Sequence, residues 1–260
     1  MASTPAKPSA KTELKYFRFW ILVMLGLSGC AVPKPKPAAA QKHESTTVAA
    51  FQIPSHLPNE TDLNQTLTGL KSQPDHPQLQ LKAGILYQQL SPPDRWVYLD
   101  QAIELLNSAI EKLPENAEAH MYLGLAMAAK ARDPDVGLLK KLGLARAGFA
   151  NMDEAIERQP QNLSLRLLRA KASLIAPAIL GRKASLDQDR AFIVAQSGKT
   201  ETVPLHLLAM SYIFLGDHAH RIGHDPDSAQ AFYKSARQAG RGTPWEIKAQ
   251  NRLDGVPSDF

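Results

Sequence analysis

The chain has 260 residues, enough for one or two domains. It is 44% hydrophobic but only 7% aromatic, which favours helices packed through Ala and Leu over a sandwich of β-branched and aromatic strands. Much of the +5 charge sits early, in Lys7, Lys11, Lys15 and Arg18 against Glu13, so the remainder is close to neutral; with no aromatic–basic RNA motif beside it, nucleic acid is excluded as an expected partner.

Residues 1–29 read as a targeting segment. A positive start is followed by an apolar run from Phe17 to Leu27, broken only by Arg18, and then by Leu27-Ser28-Gly29-Cys30. The apolar run is too short to span a bilayer as a finished helix. Its closing four residues resemble the lipobox of bacterial lipoproteins. That resemblance implies cleavage before Cys30 and acylation of its thiol, so that Cys30 becomes the lipid-bearing first residue of the mature chain. Several acyl chains hold a protein stably on a membrane where one would not. Ala31, which is not acidic, implies by the same resemblance the outer membrane, with the protein facing the periplasm. Cys30 is the only cysteine, so no disulfide can form within the chain.

Residues 30–75 read as the lipidated Cys and a flexible tether. Pro33, Pro35 and Pro37 alternate with Lys34 and Lys36 and lead into Ala38, Ala39 and Ala40, a stiff, soluble, extended composition. Poor order is expected to about residue 60, with a short helix at 61–71.

From residue 76 the helices arrive in pairs. The first pair, 79–90 and 95–113, breaks at Pro92 and Pro93; its second helix carries Ala102, Leu106 and Ala109 on one face and stops before Pro114. Asn116 caps a third helix through Leu123-Gly124 to about 131, and a fourth covers 138–159 with Gly148, Met152 and Ala155 before Pro160. Asn162 caps a fifth helix ending before Pro177, and a sixth runs from about 185 to 196 without the Ala and Pro landmarks. Leu208, Ala209 and Tyr212 mark a seventh helix, Ala229, Tyr233 and Ala236 an eighth, and Thr243-Pro244-Trp245-Glu246 opens a last one as a capping box. The order of small residues, Leu, Tyr and Pro resembles the tetratricopeptide (TPR) repeat. The expected fold is all-α: a TPR-like solenoid of about four antiparallel helical hairpins over residues 76–260, with a C-terminal capping helix. The resemblance implies a concave face that binds peptides or helices.

Candidate site residues follow from that picture. Arg166 and Arg169 share a helix face beside Leu165, Leu168 and Ala172, and guanidinium forks pair well with carboxylates. They are read, with Tyr122 and Tyr212, as a groove wall or as a solvated face and repeat core. Asp217, His218, His220, His224, Asp225 and Asp227 form one cluster with donors that zinc takes. Against a metal site, the segment is an inter-helix turn, and Asp225 and Asp227 have a simpler role at a helix N-terminus. The chain lacks G-x-G-x-x-G, P-loop and G-x-S-x-G patterns. The expectation is a non-enzymatic envelope scaffold without a cofactor beyond its lipid. Its partners would be an envelope protein or peptide segment, and the membrane through its N-terminus. The alternatives are an accessory subunit of a TRAP-type transporter, on architecture alone, and a metal-dependent enzyme at the histidines.

Overall fold

The computed structural model describes residues 51–91 and 96–255. Residues 1–29, read above as a targeting segment, Cys30, the Pro–Lys stretch and Pro92-Pro93 lie outside the described residues. Ten α-helices and no strands occur among the described residues. A lone α1 (Glu60–Ser72) precedes four hairpins: α2 (Pro77–Leu90) with α3 (Trp96–Lys112), α4 (Ala117–Lys130) with α5 (Leu138–Arg158), α6 (Leu163–Leu174) with α7 (Lys183–Ser197), and α8 (Leu205–His218) with α9 (Pro226–Ala239). The last helix, α10 (Pro244–Leu253), closes the stack by laying Trp245 and Ala249 into the core at α8 and α9. The TPR-like fold expected from the repeat pattern is present, and among the described residues no helix is long and apolar enough to cross a membrane.

Helix ends sit where local chemistry puts them. Asn116 accepts from Ala119 N–H and Asn162 from Leu165 N–H, each filling one of the free donors at a helix start. Asp225 and Thr243 do the same for α9 and α10, each followed by Pro at the first helical position.

The first two hairpins close through small residues. On α4, Gly124 backs onto Gly148 of α5: a Cβ on Gly148 would lie 2.7 Å from Gly124 O, and one on Gly124 would lie 2.7 Å from Met152 Cγ. Ala102, Leu106 and Ala109 are fully buried against α2 and α4 in the same manner. The first helices of successive hairpins, α2, α4, α6, α8 and α10, each touch the next in the series, whereas the second helices reach mainly the first helix of the following hairpin. The stack therefore curves with α2, α4, α6, α8 and α10 on its inner face.

The folded unit begins earlier than residue 76. Phe51 and Ile53, in the stretch assigned by sequence to the tether, pack into the core, and α1 packs on α2. The inter-helix turn at 219–225 also differs from a simple loop. The end of α8 widens into a π-helical turn, Ala219–Gly223, and His224 takes a left-handed conformation at φ 49° that lets Asp225 N–H reach Ala219 O at 3.0 Å.

Gly124→Ala should cost about 2–3 kcal/mol, because rigid backbone stands in the way. Gly143→Ala, on the same hairpin with open space around it, should instead stabilise by about 0.5–1 kcal/mol. Urea unfolding followed by circular dichroism measures both; equal effects would contradict the close approach of α4 and α5.

Candidate functional site

The inner face is built from one stripe on each first helix. On α4 it carries Glu118 and Tyr122, on α6 Ser164, Leu168 and Lys171, and on α8 His206, Met210 and Asp217, all at helical spacing. Across this face runs the segment at residues 51–53. Gln52 is exposed while Phe51 is half-buried and Ile53 buried, the alternation of an extended chain lying on a surface. Phe51 stands edge-on to Tyr122, with ring centroids 5.9 Å apart.

Side chains satisfy the backbone of this segment. Phe51 N–H donates to Gln159 Oε1 at 3.4 Å, and Asn162 Nδ2 donates to Phe51 O at 2.8 Å. Ile53 N–H donates to Ser164 Oγ at 3.1 Å. His206 Nε2 donates to Ile53 O at 2.8 Å, which fixes the tautomer of the imidazole. Two helices, through Ser164 and His206, and two helix caps, Gln159 and Asn162, thus read the backbone of an extended peptide that belongs to the chain itself. The capping residue Asn162 serves both jobs, accepting from Leu165 N–H and donating to Phe51 O.

Tyr122 lies on this face, but the strap covers it. Its ring is buried and its hydroxyl accepts from Gln89 Nε2 at 2.9 Å; burial and the neighbouring Glu118 hold the phenol well above its usual range. Burial raises Glu118 to about 7, and no ion pair meets it among the described residues.

The other groove candidates lie elsewhere. Arg166 and Arg169 are buried behind the inner face, between α6 and α7. Both bind Asp189, a carboxylate with no exposure: Arg166 Nη1 at 2.8 Å, and Arg169 through Nε and Nη2 at 2.8 and 2.7 Å. Arg169 Nη1 reaches Asp153 of α5 at 2.8 Å, and Arg182 holds the same carboxylate with two bonds. Burial pushes Asp153 up, yet the Arg182 and Arg169 guanidiniums hold it below the usual carboxylate range. These arginines are internal ties, with no fork left for a ligand. Tyr212 is also part of the packing: its ring stacks on Phe232 of α9 at 6.5 Å and its hydroxyl points to Ser197 O.

His218, His220 and His224 do not converge. His218 is half-buried against Phe214, and burial with the nearby Arg190 charge lowers its pKa, whereas His220 and His224 are exposed. Asp217 is already bound by Tyr233 and Arg252, and Asp225 caps α9. Among the described residues no group of three His, Cys, Asp or Glu side chains could hold a metal ion.

The strap residues Phe51 and Ile53 and their readers Ser164 and His206 were not recognised from sequence. One signal was present: Phe51 is the only aromatic residue between Trp20 and Tyr87, and it alternates with Gln52 and Ile53 in an otherwise polar stretch.

No family model and no curated protein sequence matches the chain. Among solved structures, the human IFIT1 dimer with PPP-AAAA is similar at a TM-score of 0.50 and 14% identity, over 75% of this chain and 49% of that one. The human IFIT1 dimer with m7Gppp-AAAA aligns at 0.49 and 15%, over the same shares. The chain spans about half the length of the IFIT1 chain it matches, and at this identity the likeness shows the fold. It also overturns the sequence-based exclusion of nucleic acid. A protein with this helical-repeat fold is solved with PPP-AAAA, so modest net charge and a missing RNA motif do not rule that partner class out.

Removing the shared acid with Asp189→Ala should cost about 3–5 kcal/mol in urea unfolding, because it strands two buried guanidiniums. Glu118 has the opposite sign. Its folded value of about 7 exceeds the unfolded 4.5, so the native state binds its proton more tightly, and stability falls as pH rises through that window. Glu118→Gln should therefore stabilise by about 1 kcal/mol at pH 8, with the gain gone by pH 4; a constant gain across that range would rule the titration out.

Proposed function

We propose that this chain is a non-enzymatic scaffold of the bacterial envelope, lipid-anchored through Cys30, whose helical-repeat groove holds an extended peptide segment of a partner. The observation that carries this reading is the strap. The groove engages residues 51–53 through their backbone with Asn162, Ser164 and His206, while apolar pockets take Phe51 and Ile53. Backbone recognition with pockets for alternate side chains is how extended peptides are bound. Neither contact point is a proline, so the Phe51 and Ile53 N–H groups both donate, to Gln159 and Ser164. The anchor rests on Leu27-Ser28-Gly29-Cys30 following an apolar run, and the outer-membrane, periplasm-facing address on Ala31.

Two measurements on the full chain test the two halves of this reading. Cys30→Ser should abolish acyl labelling and release the protein from the membrane fraction; retained labelling removes the anchor. For the groove, a labelled peptide of residues 48–58 should bind the Phe51→Ala/Ile53→Ala variant at about micromolar Kd and the parent chain at least about tenfold more weakly, read by fluorescence anisotropy. Ile53→Ala alone serves where the double variant loses its helical dichroism. PPP-AAAA, the ligand named for the IFIT1 neighbour, is the comparison probe. Tight binding of PPP-AAAA with no peptide binding would replace the peptide scaffold by a nucleic-acid-binding one.

A further inference from the structure

Helix α5 is longer than the hairpin it belongs to. A Cβ on Gly148 would meet Ala128 N at 3.0 Å, and one on Gly124 would meet Met152 Cγ at 2.7 Å, so the antiparallel pair sets residue 128 opposite residue 148. α4 stops at Lys130, opposite Arg146. On the other side α6, 12 residues long and starting beside the C-terminal end of α5, reaches no further. Residues 138–145 therefore project past the ends of both neighbouring helices by about 12 Å.

The apolar stripe of α5 continues along this projection, where no described helix meets it. Ile156, Met152 and Phe149 are buried, Ala145 and Leu142 are half-buried, and Leu138 is 82% exposed, all at helical spacing on one face. Leu139, beside it, is 87% exposed. Lys140 and Arg146 are exposed on the same stretch, Lys141 is half-buried, and from Val136 to Met152 the chain holds no Asp or Glu. In the preceding loop Asp133 is buried and bound by Lys130, which leaves Arg132 to offset Asp135. Alternate connections of an up-and-down stack lie on opposite edges, so the projection shares its edge with the turns that close the third and fourth hairpins. Those turns add Ile179 and Ile222, 73% and 52% exposed.

A single exposed aliphatic side chain is ordinary on a protein surface. Two adjacent leucines at the farthest point of a projecting helix, with bases and no acid beside them on that helix, match an anionic lipid interface in both respects. The leucines enter the boundary of the acyl chains, and the ammoniums stay at headgroup level beside the negative charge.

We propose that the projecting start of α5, led by Leu138 and Leu139 and flanked by Lys140, Lys141 and Arg146, docks on an anionic membrane surface, with Ile179 and Ile222 on the edge that turns toward the bilayer. A lipid at Cys30 would keep this surface within reach, but the docking surface does not depend on that anchor, and the experiment is made without it.

Cys30 is the only cysteine, so Cys30→Ser in the full chain leaves room for one thiol at a chosen position, carrying a nitrobenzoxadiazole label. Leu139→Cys puts the label on the projection. Gln161→Cys puts it on an exposed residue past the opposite end of α5, about 30 Å away. With vesicles of phosphatidylglycerol and phosphatidylethanolamine, emission at position 139 should move to the blue and rise at least about twofold, while emission at 161 stays unchanged. Vesicles of phosphatidylcholine alone should change neither. Adding Lys140→Glu and Lys141→Glu should cut the rise at 139 by about fivefold or more. No response at 139 to anionic vesicles, an equal response at 161, or a response that survives the charge reversal overturns the membrane surface. So does a label at 139 that is already blue-shifted without vesicles: growing with protein concentration it marks a second copy on the leucines, and independent of concentration it marks another segment of the same chain.

Discussion

The fold turns on two side chains, Phe51 and Leu168. Three clusters of buried residues make up the core, one around α2–α4, one around α4–α6 and one around α6–α10, and these two side chains pack against all three. Leu168 is supplied by the middle repeat. Phe51 arrives from outside the repeats, on the segment that crosses the inner face. A stack whose units touch mainly their neighbours has no inherent long-range tie. The strap adds one, reaching from Tyr122 of α4 to His206 of α8.

Magnitudes decide how firmly it is held. Ordering three residues costs about 3–6 kcal/mol in backbone freedom. Burying Phe51 in part and Ile53 almost fully returns about 3–5 kcal/mol, and four backbone hydrogen bonds to side chains add about 2–4 kcal/mol net. The gain exceeds the cost by only a few kcal/mol. Such a segment is docked in most molecules at any moment, yet within reach of displacement by a peptide that makes the same contacts with less entropy to lose.

The repeat architecture was legible in sequence because its rules are local and periodic. Ala102, Leu106 and Ala109 before Pro114, and Gly148, Met152 and Ala155 before Pro160, mark second helices, and the Asn116 and Asn162 caps mark first ones. The third hairpin lost its small-residue landmarks on α7 because a different interaction closes it. Asp189 sits buried where an apolar contact would be expected, and Arg166 and Arg169 reach across to it. The same two arginines looked like a binding surface because their spacing places them together on α6. Sequence shows that two cations share a face; it does not show the acid that a second helix brings to them. The histidines failed for the reverse reason, since proximity along the chain in a wide turn points side chains apart.

The strap was hidden because its contacts join residues more than a hundred positions apart, where no period exists to read. Near Phe51 stands Glu118, a carboxyl that burial raises to about 7, on the same helix as the Tyr122 ring that meets Phe51 edge-on. Under the proposed anchor at Cys30, the strap would be the first described part of the chain met after the tether. Occupancy of the groove and the path of the chain to the membrane would then share the same few residues, Phe51 to Ile53, and a partner that displaced them would lengthen the tether as it bound.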